Sequence, residues 1–82
     1  MKKLDSLEIM PTRIRIASIL RKAILSGEFK EGEELSLTDI ANNLGVSRTP
    51  VREAFQILSS ENLILLRMNK GAIVKGINTK TI

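Results

Sequence analysis

Apolar residues recur at helical spacing over the first third of the chain, between Arg13 and Ser26. The repeating positions are Ile16, Ile19, Leu20, Ala23 and Ile24. This spacing places them on one face of a helix, for which Thr12 is the predicted cap and Gly27 the left-handed stop. The pattern therefore predicts a first helix that buries this face.

Two shorter helical repeats follow the first, joined by Leu44-Gly45-Val46. Ser36 and Asp39 resemble a capping box at the start of the second helix, and Gly45 ends it. Its predicted inner positions are Leu37, Ile40, Ala41 and Leu44. Two helices with so short a connection match a helix-turn-helix.

The third helix runs from Ser47 to about Ser60. Ser47 is its predicted N-cap, with a side-chain oxygen that accepts from an N–H group of the first turn. Pro50 suits that turn because its missing N–H has no helical partner there. Val51, Phe55 and Leu58 are predicted to share one apolar face, with Ala54 at its edge.

The last apolar segments, 63–68 and 72–76, flank Asn69-Lys70-Gly71 and predict a β-hairpin with a basic tip. Residues 28–35 are a predicted polar loop that inserts Phe29 and Leu35 into the core. Its acidic side chains are expected to face away from any DNA.

The predicted fold is mainly α with a small β-hairpin (α+β). It is a winged helix-turn-helix over residues 11–76, with three helices followed by a two-stranded wing. Residues 1–10 are a predicted flexible N-terminal arm. Residues 77–82 are a predicted linker to a C-terminal effector-binding domain that the chain lacks.

The amino-acid composition limits which catalytic and metal sites the chain can form. The 82 residues contain neither histidine nor cysteine, which removes the usual general base and the usual zinc ligands. No metal, cofactor or catalytic residue is predicted. The lack of cysteine fits a reducing cytosol, and no segment approaches the length of a membrane span. We therefore expect a cytoplasmic protein with no membrane partner.

The net charge of +4 is unevenly distributed. Residues 1–35 carry seven basic and six acidic side chains, whereas residues 36–82 carry six basic and three acidic ones. The basic excess lies with the third helix and the hairpin. An excess of this size is a weak indication of nucleic-acid binding by itself.

In a helix-turn-helix the second helix enters the DNA major groove with its N-terminus first. Arg48 is placed for a guanine edge, and Arg52 for a base or the backbone. Thr49 suits a phosphate or a thymine methyl group, and Arg67 is a further candidate on the strand. The predicted DNA-binding residues are Thr38, Ser47, Arg48, Thr49, Arg52, Gln56, Asn69, Lys70 and Gly71.

Each assignment has a structural alternative. Arg48 and Arg52 are also consistent with ordinary surface arginines, and Glu53 or Glu61 is a possible ion-pair partner for Arg52. Ser47 needs no role beyond its cap. Gly71 is at least a turn glycine, and lysines such as Lys70 are solvated charges in most proteins.

The string Ser-Arg-Thr-Pro-Val-Arg-Glu-Ala at residues 47–54 resembles the GntR family of bacterial transcription regulators, most closely its FadR-like branch. The resemblance implies DNA contacts from Arg48, Thr49 and Arg52, often from Thr38, and from the wing glycine. It also implies a homodimer on a palindromic operator of double-stranded DNA, with one half-site per domain. Repression is the usual activity, and a small-molecule effector would bind only the C-terminal domain. Asn62 replaces a glycine common in the family.

Three functions are compared. Sequence-specific DNA binding by a ligand-responsive regulator leads. A winged helix that contacts proteins and does not bind DNA is the alternative, and the basic third helix argues against it. An enzyme is the least favoured, because the sequence shows no general acid–base pair.

Overall fold

The computed structural model describes residues 10–67 and 71–75 of the chain. It has three helices, α1 (Thr12–Leu25), α2 (Leu37–Leu44) and α3 (Arg48–Ser60). Its three strands are β1 (Glu34–Leu35), β2 (Ile64–Arg67) and β3 (Gly71–Val74). The fold is the predicted winged helix-turn-helix. The linker, the arm up to residue 9 and the wing tip at 68–70 lie outside the described residues.

The core lies where α1 crosses α3 and where α3 packs against α2 and the sheet. Its largest fully buried side chains are Phe55, Leu58, Ile64, Val51 and Val74. The prediction was wrong for Ile19 and Leu44, which are 51% and 37% exposed. Both line a shallow apolar cleft between α1 and α2, so they lie at the edge of the buried face. Ala17 is buried in α1 instead.

The helix ends confirm most of the predicted signals. Gly27 has a positive φ, and the Glu28 N–H donates to the Ala23 carbonyl oxygen at 2.9 Å. Thr12 is not the cap of α1, because the helix begins there and Pro11 precedes it as N-cap. The Pro11 carbonyl accepts from two N–H groups of the first turn. Asn62 adopts φ 66°, as expected for a residue that replaces glycine.

The sheet contains a strand that the sequence pattern did not predict. Glu34–Leu35 pairs antiparallel with β3, which gives the order β1-β3-β2. The prediction of a loop over 28–35 was therefore wrong at its end, although Leu35 is buried as expected. A strand of two residues beside several glutamates is too short to show an alternating pattern in the sequence.

Gly71 belongs to β3 rather than to the turn, opposite Arg67 of β2. Its φ is +112°, and a Cβ at this position would overlap the Leu35 carbonyl oxygen. The missing side chain thus lets the backbone of β1 approach β3 closely.

Candidate nucleic-acid interface

The N-terminus of α3 differs from that of α2 although both begin after a serine. The Ser36 hydroxyl accepts from the Asp39 N–H at 3.2 Å. Ser47 has the extended N-cap conformation, but its side chain makes no cap hydrogen bond. The third residue of α3 is Pro50, which lacks the N–H that Asp39 supplies in α2. The prediction of a Ser47 side-chain cap bond was therefore wrong.

The exposed face of α3 is cationic and polar. Arg48, Thr49, Arg52 and Gln56 are exposed, while the predicted apolar positions of α3 are buried. The first turn of α3 contains no acidic residue. The positive end of the helix dipole and the arginine charges therefore both attract an anion to this end of α3.

Neither Arg48 nor Arg52 forms an ion pair within residues 10–67 and 71–75. Glu61, considered as a partner for Arg52, instead accepts two hydrogen bonds from Arg21, from Nε at 2.8 Å and from a terminal nitrogen at 2.7 Å. These bonds hold the pKa of Glu61 below its ordinary value and raise the pKa of Arg21. The cations of α3 thus remain available in the described structure.

A groove lies between the start of α2, the exposed face of α3 and the sheet. It is lined by Ser36, Leu37, Thr38, Arg48, Arg52, Phe55, Gln56, Leu66, Arg67 and Gly71. Five predicted DNA-binding residues are thus brought together. Ser47 and Thr49 lie at the same end of α3 without lining the groove, and Asn69 and Lys70 lie outside the described residues.

Two residues that line the groove, Leu66 and Arg67, are not among the predicted DNA-binding residues, although Arg67 was named as a further candidate. Leu66 is 43% exposed on β2 and adds an apolar side chain to the lining. Arg67 hydrogen-bonds Glu34 at 3.1 Å. Glu34, from the acidic segment that was expected to face away from any DNA, thus contacts a residue that lines the groove. An alternating pattern at 64–67 would have separated Leu66 from its neighbours, but Ile64, Leu65 and Leu66 are all apolar.

A family model described as bacterial regulatory proteins, gntR family, matches residues 12–74. The chain belongs to the GntR family. The gluconate operon transcriptional repressor of Bacillus subtilis is 46% identical over 71 residues, which is 87% of this chain. A GntR-family transcriptional regulator from Pseudomonas syringae superposes with a TM-score of 0.74 at 37% identity, covering 82% of this chain and 28% of that one.

Another GntR-like fold comes from a complex with nucleic acid. Streptococcus agalactiae BusR, solved with its busAB promoter DNA, has a TM-score of 0.75 at 29% identity. The match covers 83% of this chain and 34% of BusR. These relatives are transcription regulators and not enzymes. This GntR chain is accordingly the winged helix-turn-helix DNA-binding domain of a regulator.

The GntR chain spans 29% of the length of the Bacillus subtilis repressor. Within the described ranges, none of its helices has the length and apolar character that crossing a membrane requires.

Proposed function

We propose that the groove binds one half-site of a double-stranded DNA operator, with α3 in the major groove. The observation that carries this proposal is the pair of exposed arginines, Arg48 and Arg52, on the leading turns of α3 without an acidic partner in the described ranges. Their spacing of four residues directs both side chains to one side of the helix. A guanidinium fork matches the O6 and N7 atoms of guanine.

The other predicted residues supply backbone contacts. Ser47 and the N–H groups of Arg48 and Thr49 face the position that a phosphate takes at a helix N-terminus. Thr38 is exposed on α2 and lines the same groove, so we assign it to a contact with the DNA backbone. Gln56 extends the contact surface of α3. Asn69, Lys70 and Gly71 are proposed to contact the minor groove or a phosphate from the wing.

The whole regulator is proposed to be a homodimer of the FadR-like branch that acts in the cytoplasm. Each DNA-binding domain would occupy one half of a palindrome, and an effector would bind a C-terminal domain beyond these 82 residues. Repression is supported by the gluconate operon repressor, with which this chain shares 46% of 71 aligned residues.

Selection of binding sites from random duplexes tests this proposal. The domain is fused to a neutral dimeriser so that two copies are presented together, and bound duplexes are recovered at low salt. We expect a palindromic sequence to emerge. Recovery of no preferred sequence would contradict operator binding and favour a protein-contact module.

Arg48→Ala tests direct base recognition on the selected duplex. We expect a loss of about 1–3 kcal/mol in binding free energy and relaxed preference at one base pair, because the bidentate contact to guanine is removed. Fluorescence anisotropy against the selected and scrambled duplexes measures both effects. Arg15→Ala, which removes an exposed cation of α1, is the matched control. Equal discrimination by Arg48→Ala and the parent domain would exclude this contact.

A further inference from the structure

Arg67 and Glu34 lie on the two outer strands of the sheet, with β3 between them. Arg67 is the cross-strand neighbour of Gly71, and Glu34 is the neighbour of Ile73. Positions 71 and 73 point to the same side of a strand. Arg67 therefore reaches Glu34 diagonally across β3, past a position that carries no side chain.

This contact pairs one arginine of the groove with a carboxylate. Arg67 lines the groove together with Arg48 and Arg52, yet it alone of these three arginines has a carboxylate partner within the described residues. The groove thus presents two available cations and a third that Glu34 holds at its edge.

The contact between Arg67 and Glu34 is weak enough for Arg67 to exchange partners. It consists of one hydrogen bond of 3.1 Å, and its side chains are 41% and 72% exposed. The Arg21–Glu61 pair has two shorter bonds and is less exposed, at 33% and 37%. A single, solvated ion pair contributes little to stability. Little free energy is therefore needed to release Arg67.

We propose that Glu34 competes with DNA for Arg67. In the free domain the carboxylate of Glu34 holds the guanidinium, and on binding a backbone phosphate replaces it. Carboxylate and phosphate oxygens satisfy the same guanidinium donors, so the exchange conserves the hydrogen bonding of Arg67. Glu34 thereby lowers the affinity of the domain for any duplex. This inference rests on the proposed DNA-binding function.

The test measures affinity for a short duplex of mixed sequence, because a phosphate contact is independent of sequence. Glu34→Gln removes the competing charge and keeps the shape of the side chain. We expect it to tighten binding about two- to fivefold, the range set by an exposed ion pair. Circular dichroism and thermal unfolding establish that each variant is folded.

Glu31→Gln is the matched control, since it removes the same charge from the same acidic segment. Glu31 is exposed and has no ion-pair partner in the part of the chain that the structure describes. A gain common to both variants would reflect net charge alone and would overturn the proposal. Weaker binding by Glu34→Gln would also overturn it, because Glu34 would then position Arg67 for DNA.

Arg67→Gln completes a double-mutant cycle. Its affinity should fall with a salt slope shallower by about 0.9, because one phosphate contact is lost. In this background Glu34→Gln should give no more gain than Glu31→Gln. An undiminished gain would show that Glu34 acts without Arg67 and would overturn the proposal.

Binding by the parent domain separates this inference from the proposed function. If the parent binds its selected duplex and loses discrimination with Arg48→Ala, operator recognition stands whatever the Glu34 variants do. If the parent binds no duplex at low salt, both proposals fail together.

Discussion

At the scale of single residues, Ser36 and Ser47 show how one residue type at one helix position takes two roles. Each immediately precedes a helix. The Ser36 hydroxyl is used by its own helix through the Asp39 N–H. The third residue of α3 is proline, so Ser47 keeps its hydroxyl for another donor or for solvent. Pro50 thus fits the first turn of α3 but does not provide the N–H group to which a capping serine would bond.

This difference predicts unequal costs for the two alanine substitutions. Ser36→Ala should lower the free energy of unfolding by about 1 kcal/mol, the usual cost of a lost cap bond. Ser47→Ala should change it by only a few tenths of a kcal/mol, because no cap bond exists to lose. Urea unfolding measures both. In a Pro50→Ala background, which restores the third N–H, Ser47→Ala should cost as much as Ser36→Ala. Equal costs for the two serines in the parent domain would contradict this account.

Gly71 provides a second prediction at the same scale. Gly71→Ala combines an unfavourable φ with overlap on the Leu35 carbonyl, so we expect unfolding free energy to fall by more than about 2 kcal/mol. Gly32→Ala is the matched control, because Gly32 also has a positive φ but a Cβ there meets no atom within 4 Å. It should cost only about 1 kcal/mol. Thermal unfolding compares them, and similar losses would exclude the close approach of β1 as the cause.

At the scale of elements, the Arg21–Glu61 pair ties α1 to the C-terminal end of α3. Because the folded pKa of Glu61 lies below its ordinary value of 4.5, the pair stabilises the fold above that value. The contribution disappears as the pH falls through the folded pKa of Glu61. The raised pKa of Arg21 has no effect in this range, because Arg21 stays charged.

Arg21→Gln tests this linkage. At neutral pH it should lower the free energy of unfolding by about 0.5–1 kcal/mol, a value limited by the solvation of the pair. In acid below the folded pKa of Glu61 the difference from the parent should vanish. Chemical unfolding across this range measures the difference, with Arg15→Gln as a control for loss of charge. A difference that persists unchanged in acid would refute the assignment.

Sequence patterns predicted the elements with strong local signals. The three helices have apolar repeats, and the stops at Gly27 and Gly45 have the expected backbone. Strand β1 was missed because its pairing with β3 joins residues about forty positions apart, which no local period encodes. For the same reason, spacing along α1 could not decide whether Ile19 faces the core or the cleft beside it.

The candidate site was predictable to a similar extent. The position of Arg48 and Arg52 on α3 follows from helical spacing and the helix-turn-helix order. The absence of an ion pair between Arg52 and Glu61 does not follow from the sequence, because Glu61 is bound by Arg21 of another helix. The Arg67–Glu34 contact likewise required the three-dimensional arrangement of the sheet.

At the scale of the whole molecule, the proposed function has each domain occupy one half-site through the groove that α3 lines. The modest net charge of +4 leaves the affinity dependent on a few phosphate contacts, which salt weakens strongly. A single domain with so few phosphate contacts is thus expected to bind one half-site weakly. Under the proposed function, tight operator binding is expected to need two domains held together.

This expectation gives a prediction for the joined domain. Fusion to a neutral dimeriser turns the second half-site into an intramolecular contact at an effective concentration of order millimolar, so affinity for the selected palindrome should rise by roughly 10²-fold or more. Affinity for a duplex with one half-site destroyed should stay close to that of the single domain. A dimeriser variant that cannot associate is the control, measured by anisotropy at the same salt concentration. The gain should also depend on half-site spacing. Both α3 helices can enter the DNA major groove from one side of the duplex only when the half-sites lie whole helical turns apart. An equal gain on the palindrome and the single half-site would mean that the second domain adds charge rather than a second specific contact, and would contradict the half-site model.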